Sequence, residues 1–142
     1  MSNEFSALQL HSKEAFQIWL ASDVEVRDEL NGLIGAELGL DADSLDALEK
    51  FLLARYADPD RILALGQRDV LDAAARHVGL VMLFTIDETE WAIDLDDADN
   101  VYYRLPIIRM GDGAEECPLT MITAALDRRT GEYLRTVVDS YQ

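Results

Sequence analysis

Apolar residues change their spacing near residue 80, and this change limits the possible folds more than any other feature of the chain. Before it, they recur at intervals of three and four residues, which is the spacing of one helix face. After it, the segment WAIDL alternates, so Trp91, Ile93 and Leu95 share one side of an extended strand. Helices and strands are therefore predicted in separate stretches, the arrangement of an α+β domain.

Helical spacing predicts several helices before that change. They run from Ser12 to Ala21, from Ser22 to near Gly39, from after Asp43 to about Tyr56, from Pro59 to Leu65, and from Arg68 to Val78. Ser22 and Glu25 have the spacing of a capping box at the start of the second helix. Asp58 and Pro59 supply an N-cap and a first-turn proline, and Gly79 is placed as the exit from the fifth helix.

Strands and two further helices are predicted in the rest of the chain. The strands are Leu80–Ile86, Trp91–Leu95 and Val101–Leu105, and the helices run from about Leu119 to Arg128 and from Tyr133 to Tyr141. The polar residues 87–90 make the first two strands a hairpin, and Pro106 marks the edge or the end of the third. We therefore predict a single α+β domain over residues 1–142, with N-terminal helices, a three-stranded antiparallel sheet and two C-terminal helices.

The chain carries a strong negative charge. Its 28 acids outnumber its 12 bases to give a formal charge of −16, and residues 87–99 contain seven acids and no base. Such a field repels phosphate backbones and anionic lipid, so we predict no nucleic-acid or membrane binding and favour a basic protein partner. The chain shows no signal-peptide pattern and no apolar run of about 18 residues. With a single cysteine, Cys117, a cytoplasmic protein is expected.

An acidic loop follows the second predicted strand and is the first candidate for a metal site. Its aspartates are Asp94, Asp96, Asp97 and Asp99. A calcium-binding EF-hand loop needs an oxygen ligand at its fifth position and a glutamate at its twelfth. Counting from Asp94, these positions hold Ala98 and Leu105, which excludes that motif. A solvated turn with local hydrogen bonds is favoured over an irregular calcium site, and we predict no metal and no cofactor.

Ser44 opens a possible covalent function. The tripeptide Asp43-Ser44-Leu45 at the head of an acidic helix resembles the attachment site of acyl carrier proteins, where the serine carries phosphopantetheine. Members of that family are small all-helical bundles, whereas a β-rich segment follows here. The sequence favours Ser44 as an ordinary first-turn residue and keeps the carrier function as a weaker alternative.

Cys117 is the candidate for a catalytic nucleophile. It precedes Pro118 at a predicted helix N-terminus, where the helix dipole lowers a thiol pKa. The possible bases, His77 and His11, are far from it in the sequence. A buried structural thiol is favoured, so we predict no catalytic residue. An enzymatic or small-ligand site between the sheet and the C-terminal helices, near Cys117 and Arg128, is the alternative.

Large aromatic side chains accompany the acidic loop. Trp91 precedes it, and Tyr102 and Tyr103 follow it, so alternation along a strand would leave at least one tyrosine near the surface. Aromatic residues are enriched at protein interfaces, and acids around them suit an Arg- or Lys-rich partner. The predicted partner-binding residues are Trp91, Asp94, Asp96, Asp97, Asp99, Tyr102 and Tyr103.

The segments IDLDDADNVYYRLPII and CPLTMITAALDRRTGEYLRTVVDSY resemble a group of small acidic bacterial proteins of unassigned function. The resemblance covers roughly the last 70 residues and implies a bacterial, cytoplasmic α+β domain, without supplying a catalytic residue. Many bacterial toxin-immunity proteins have a similar size and acidity, which is an analogy of class. The leading hypothesis is a non-enzymatic protein-binding domain, with an immunity or adaptor role as its most concrete form.

Overall fold

The computed structural model describes residues 5–142, which begin with a short 3-10 turn at Ser6–Leu8. The helices that come next are α1 (Lys13–Ala21), α2 (Asp23–Ile34), α3 (Ala42–Arg55), α4 (Pro59–Leu63) and α5 (Arg68–Thr85). An antiparallel sheet follows in the order β1 (Glu90–Ala92), β2 (Ile107–Arg109) and β3 (Glu115–Glu116). The chain continues with α6 (Pro118–Arg128) and α7 (Tyr133–Asp139). The predicted α+β class is confirmed, as is the order of helices, antiparallel sheet and two helices.

Helix α5 is longer than predicted and lies at the centre of the fold. It continues through residues 80–85, so the predicted strand Leu80–Ile86 is wrong. The helix packs against α2 and α6, and residues 80–84 at its end form a continuous apolar run of the kind found in a strand core, although Phe84 is exposed. Within residues 5–142, no helix combines the length and the apolar character that crossing a bilayer requires.

Gly79 lies inside α5 and does not end it, contrary to the prediction. A Cβ atom built at this position would overlap the ring of Trp91. The glycine therefore allows the strand that carries Trp91 to approach the helix closely.

The sheet is shorter than predicted, and most of its strands lie later in the chain. The predicted strand Val101–Leu105 is wrong, because these residues form turns in which Tyr103 N–H donates to Asn100 O (2.9 Å) and Arg104 adopts a φ of +63°. Pro106 therefore precedes a strand and does not end one. The observed strand β2 is the central one of the sheet, which explains why Ile107 and Ile108 are both buried.

Helix ends show which capping predictions hold. Asp58 accepts a hydrogen bond from Arg61 N–H (3.1 Å) ahead of Pro59, which confirms that N-cap. The capping box at Ser22 is wrong, because the Ser22 hydroxyl donates to Trp19 O (3.0 Å) and makes no cap hydrogen bond. The structure instead places N-caps at Ser12 for α1 and at Asp41 for α3, and a left-handed glycine, Gly35, after α2.

Buried polar side chains connect helices that are distant in the sequence. Trp19 of α1 donates from its indole N–H to Asp72 of α5 (2.9 Å). Arg76, only 3% exposed, donates to Asp72 (2.8 Å) and to the carbonyl oxygen of Trp19 (2.6 Å). Glu49 of α3 is fully buried and accepts from Tyr133 N–H (3.2 Å) and Leu134 N–H (2.8 Å) at the start of α7. These bonds fix α1 on α5 and α7 on α3.

Candidate functional site

The acidic loop between β1 and β2 is organised around the carboxylate of Asp94. One of its oxygens accepts from the backbone N–H groups of Asp96 (2.9 Å) and Asp97 (3.1 Å). The other accepts from the side-chain amide of Asn100 (2.8 Å), and these bonds, the Asn100 bond above all, lower the pKa of Asp94. Asp94 therefore holds the loop together from within.

Further short-range bonds complete this loop. Asp97 accepts from Asp99 N–H (3.0 Å), and the side-chain oxygen of Asn100 accepts from Tyr102 N–H (2.9 Å). Arg104 N–H closes the loop by donating to the carbonyl oxygen of Asp94 (2.8 Å). The loop is thus a sequence of local turns with a defined shape, and its backbone positions the carboxylates that point outward.

The remaining loop aspartates, Asp96, Asp97 and Asp99, are exposed. Across residues 5–142, none of these three takes part in an ion pair. No group of three or more His, Cys, Asp or Glu side chains in that part of the chain is arranged to hold a metal ion. The loop therefore presents these three negative charges to solvent without an ion-pair partner in the described part of the chain.

The aromatic candidates divide between the core and the rim of the loop. Trp91 packs edge-to-face on Trp19, with ring centroids 4.8 Å apart, and lies against α5. Tyr102 is half-buried, and its desolvation raises its pKa. Tyr103 is also half-buried and lies under the guanidinium of Arg104, whose carbon is 4.8 Å from the ring centre. Trp91 and Tyr102 thus support the loop from the core side, while Tyr103 lies beneath a cation.

A groove of about 550 Å³ lies between α1 and β1, next to the acidic loop. Its walls combine a face of α1 with the whole of β1 and the residues just after it. The lining residues are Lys13, Phe16, Gln17, Glu90, Trp91, Ala92, Ile93, Leu95, Asp96 and Arg109. Asp96 belongs to both the groove and the acidic loop, so the two features form one continuous surface.

Arg109 is the cation on the sheet side of this groove. It donates to Glu115 across β2 and β3 (3.1 Å), and the two residues are direct partners in the strand register. Its charge is therefore largely balanced within the sheet, at a partly exposed pair. The exposed carboxylates of Glu90 and Asp96 also line the groove, and Lys13 lies on the opposite wall.

Cys117 lies inside the protein. It has no exposed surface, and its thiol donates to Pro106 O at 3.7 Å. Burial raises its pKa to about 11, which is the opposite of the change that activates a nucleophile. His77 bonds to Ser44 and His11 bonds to Arg104, so both histidines have other partners.

Ser44 is 5% exposed. Its hydroxyl donates to Asp41 O (2.7 Å), so the second bond, to His77 Nε2 (2.9 Å), has the histidine as donor. Desolvation lowers the pKa of His77 to about 4, so the ring is neutral at pH 7. A serine that carries phosphopantetheine must be reached by a modifying enzyme, and this geometry gives that function no support.

The arginine pair Arg128 and Arg129, at the C-terminal end of α6, makes contacts within the fold. Arg128 lies over the ring of Tyr133, at 5.1 Å from the centroid. Arg129 donates to the carbonyl oxygens of Leu53 (2.8 Å), Tyr56 (3.0 Å) and Ala57 (3.0 Å) at the end of α3. The Arg129 guanidinium thus caps the C-terminal end of α3.

Sequence reasoning identified the acidic loop and missed the α1 side of the groove. Phe16 and Gln17 lie more than 70 residues before β1, and no local pattern indicates that the two segments meet. The available signal is the aromatic pair Phe16 and Trp19, which gives α1 an apolar face that must pack against something.

Comparison with known proteins found no matching family model, no similar curated protein and no similar solved structure.

Proposed function

We propose that this domain is a non-enzymatic binding protein that receives a basic protein partner on the acidic loop. The observation that carries the proposal is the fixed display of Asp96, Asp97 and Asp99, which are exposed and unpaired within residues 5–142. Because Asp94 and Asn100 already order the backbone of the loop, binding does not have to order it.

Charge accounts for both the speed and the selectivity of such binding. A formal charge of −16 steers a cationic protein toward this surface, and like-charged partners are repelled. Tyr103 supplies a partly exposed aromatic ring at the edge of the loop, of the kind that anchors protein interfaces.

The most concrete form of this function is an immunity or adaptor protein that covers a basic surface of its partner. We place it in the bacterial cytoplasm, in keeping with the resemblance of its C-terminal half and with a single, unpaired cysteine. An acidic protein that shields a basic site needs no chemistry of its own, which agrees with the buried state of Cys117.

The test compares two variants that remove the same number of charges. The first carries Asp96→Asn, Asp97→Asn and Asp99→Asn; the matched control carries Glu25→Gln, Asp28→Asn and Glu29→Gln on the exposed side of α2. The tagged proteins are used to capture partners from a lysate of the source organism. The partner retained by the native protein is then purified for stopped-flow measurement of association at several salt concentrations.

The loop variant should associate with the purified basic partner at least about tenfold more slowly and with a weaker salt dependence. The α2 control should keep most of the native rate, because its charges lie on another surface. Equal association rates for the two variants would contradict a role for the acidic loop. Capture of an acidic or neutral protein would contradict the proposed class of partner.

A further inference from the structure

We propose that the groove beside β1 takes an extended segment of the partner, which adds as a fourth strand along the free edge of the sheet. This inference rests on the proposed function, since it names how a basic partner would engage the surface that contains Asp96. The expected segment has a short apolar centre with Lys or Arg on both sides.

Strand β1 lies at one edge of the sheet. The strand order is β1-β2-β3, so β2 occupies one edge of β1 and the other edge has no strand partner among residues 5–142. Apart from the ladder to β2, residues 90–93 make no backbone hydrogen bond to any other part of the described chain. Outward-facing N–H and C=O groups of an edge strand are ready to pair with another chain.

The groove follows the free edge of β1. Glu90, Trp91, Ala92 and Ile93 all line it. Successive side chains of a strand point to opposite faces of the sheet, so a cavity over one face would be lined by alternate residues only. Because residues 90–93 all line the groove, it reaches the backbone edge of β1 and its continuation, where an added strand would lie, and it also covers the part of the sheet face that carries Arg109 of β2.

Helix α1 already forms the opposite wall of the groove. Lys13, Phe16 and Gln17 are spaced at i, i+3 and i+4 and so present one face of α1 to the groove. Phe16 stacks on Trp19, which is bonded to Asp72 of α5. The wall is thus held by the core of the protein, and a peptide meets a preformed site.

The lining predicts the chemistry of the occupant. The lining includes the apolar side chains of Phe16, Trp91, Ile93 and Leu95. Acids lie at both ends of β1: Asp87 and Glu88 precede it and Glu90 is its first residue, while Asp96, Asp97 and Asp99 follow it. An extended segment with an apolar centre and basic flanks is complementary to these apolar side chains and to the acids on either side of them.

The same charges disfavour a second copy of this chain as the occupant. Pairing two β1 edges would bring two segments 87–99 together, and each carries seven acids and no base. Like charges on adjacent strands repel, so a homodimer through this edge would lose the complementarity that a basic segment gains.

The probe is a synthetic peptide of sequence Lys-Lys-Val-Thr-Val-Thr-Val-Lys-Lys with blocked ends. Its control carries N-methyl groups on three consecutive central residues, which blocks backbone pairing on both peptide edges and leaves the charge unchanged. Each peptide is titrated into the isotope-labelled native protein while amide shifts and hydrogen exchange are followed by NMR. A Glu90→Gln, Asp96→Asn protein variant is compared with a Glu25→Gln, Asp28→Asn control.

We expect the unmodified peptide to slow amide exchange within residues 90–93 and to bind at least about tenfold more tightly than the methylated peptide. The groove variant should bind it several-fold more weakly than the α2 control. Equal binding of the two peptides, or shifts confined to residues 96–99, would overturn strand addition while supporting a basic partner on the loop. Absence of shifts in residues 87–99 at low salt with either peptide would count against both proposals. Concentration-dependent dimerisation with protection of residues 90–93 would overturn this inference in favour of a second copy.

Discussion

The guanidinium carbon of Arg76 lies 4.1 Å from the centre of the Trp19 ring, and the same side chain donates to the Trp19 carbonyl oxygen. One residue of α5 thus covers the face of an indole and caps the end of α1. Asp72 binds both partners, Arg76 through one oxygen and the Trp19 indole through the other. Because Trp91 packs on Trp19, this contact also sets the distance between α1 and β1.

Replacing Arg76 with alanine should lower the free energy of unfolding by about 3 kcal/mol. The change leaves Asp72 and the Trp19 carbonyl oxygen without their buried partner, and that loss is costly in a core. Urea denaturation followed by circular dichroism measures it. The comparison is Arg61→Ala, which removes an exposed ion pair of 3.9 Å and should change stability by less than about 0.5 kcal/mol. Similar losses in the two variants would show that Arg76 contributes only surface charge.

Two glycine-to-alanine substitutions should have opposite effects on stability. Gly79→Ala places a Cβ where the Trp91 ring lies, so we expect a loss of about 2 kcal/mol despite the better helix propensity of alanine. Gly32→Ala lies in α2 with no atom near its Cβ, and it should stabilise the protein by up to about 1 kcal/mol. Both values come from thermal and urea unfolding. A stabilising Gly79→Ala would contradict the close approach of β1 to α5.

The stability of the protein should fall in mild acid because of His77. Its pKa is lowered to about 4 in the folded state, chiefly by desolvation, against 6.5 for the free side chain. As the pH falls, His77 is therefore protonated at a higher pH in the unfolded chain than in the folded protein. The free energy of unfolding keeps its full contribution from neutral His77 above about pH 6.5 and loses it progressively between pH 6.5 and pH 4. The difference between the two pKa values corresponds to a loss of about 3 kcal/mol in the free energy of unfolding. Unfolding curves of the native protein and His77→Gln between pH 7 and pH 4 should converge as the pH falls, and parallel curves would refute the assignment.

Cys117 should be unreactive in the folded protein. A pKa near 11 reduces the thiolate fraction at pH 8 roughly a hundredfold relative to an ordinary thiol, and burial blocks the reagent as well. Thiol titration with a coloured disulfide reagent should give almost no signal in buffer and one equivalent in denaturant. Rapid labelling in buffer would mean that the thiol is accessible and would reopen the enzymatic alternative.

Local chemistry in the sequence predicted part of the fold correctly. The Asp58-Pro59 cap and the helices that begin near residues 68, 118 and 133 depend on a few neighbouring residues, and the structure confirms them. Residues 80–86 were assigned the wrong structure because six of these seven residues are apolar, Phe84 included although it is exposed, and a short continuous apolar run does not distinguish a helix from a strand. Gly79 was wrongly predicted to end the helix. Glycine fits this position because the Trp91 ring leaves no room for a Cβ atom, and the local sequence does not reveal that contact.

The candidate site was likewise predictable where it depends on neighbouring residues and not where it depends on distant contacts. The acidic loop is made by residues close in sequence, so its charge and its turn character were predictable. The structure adds that the Asp94 carboxylate accepts hydrogen bonds within the loop, one of them from the side-chain amide of Asn100. The groove was not predictable, because it exists only where α1 meets β1 through Trp19 and Trp91.

Glu49 has a consequence for how the protein is made. Its carboxylate lies in the interior, and its hydrogen-bond partners there are the backbone N–H groups of Tyr133 and Leu134, which a ribosome adds 84 and 85 residues later. Until those residues emerge, α3 carries an acid at a position that the finished core encloses, and water must solvate it. The nascent chain therefore cannot seal its interior segment by segment. Closure of the core around α3 therefore has to wait until α7 has emerged from the ribosome.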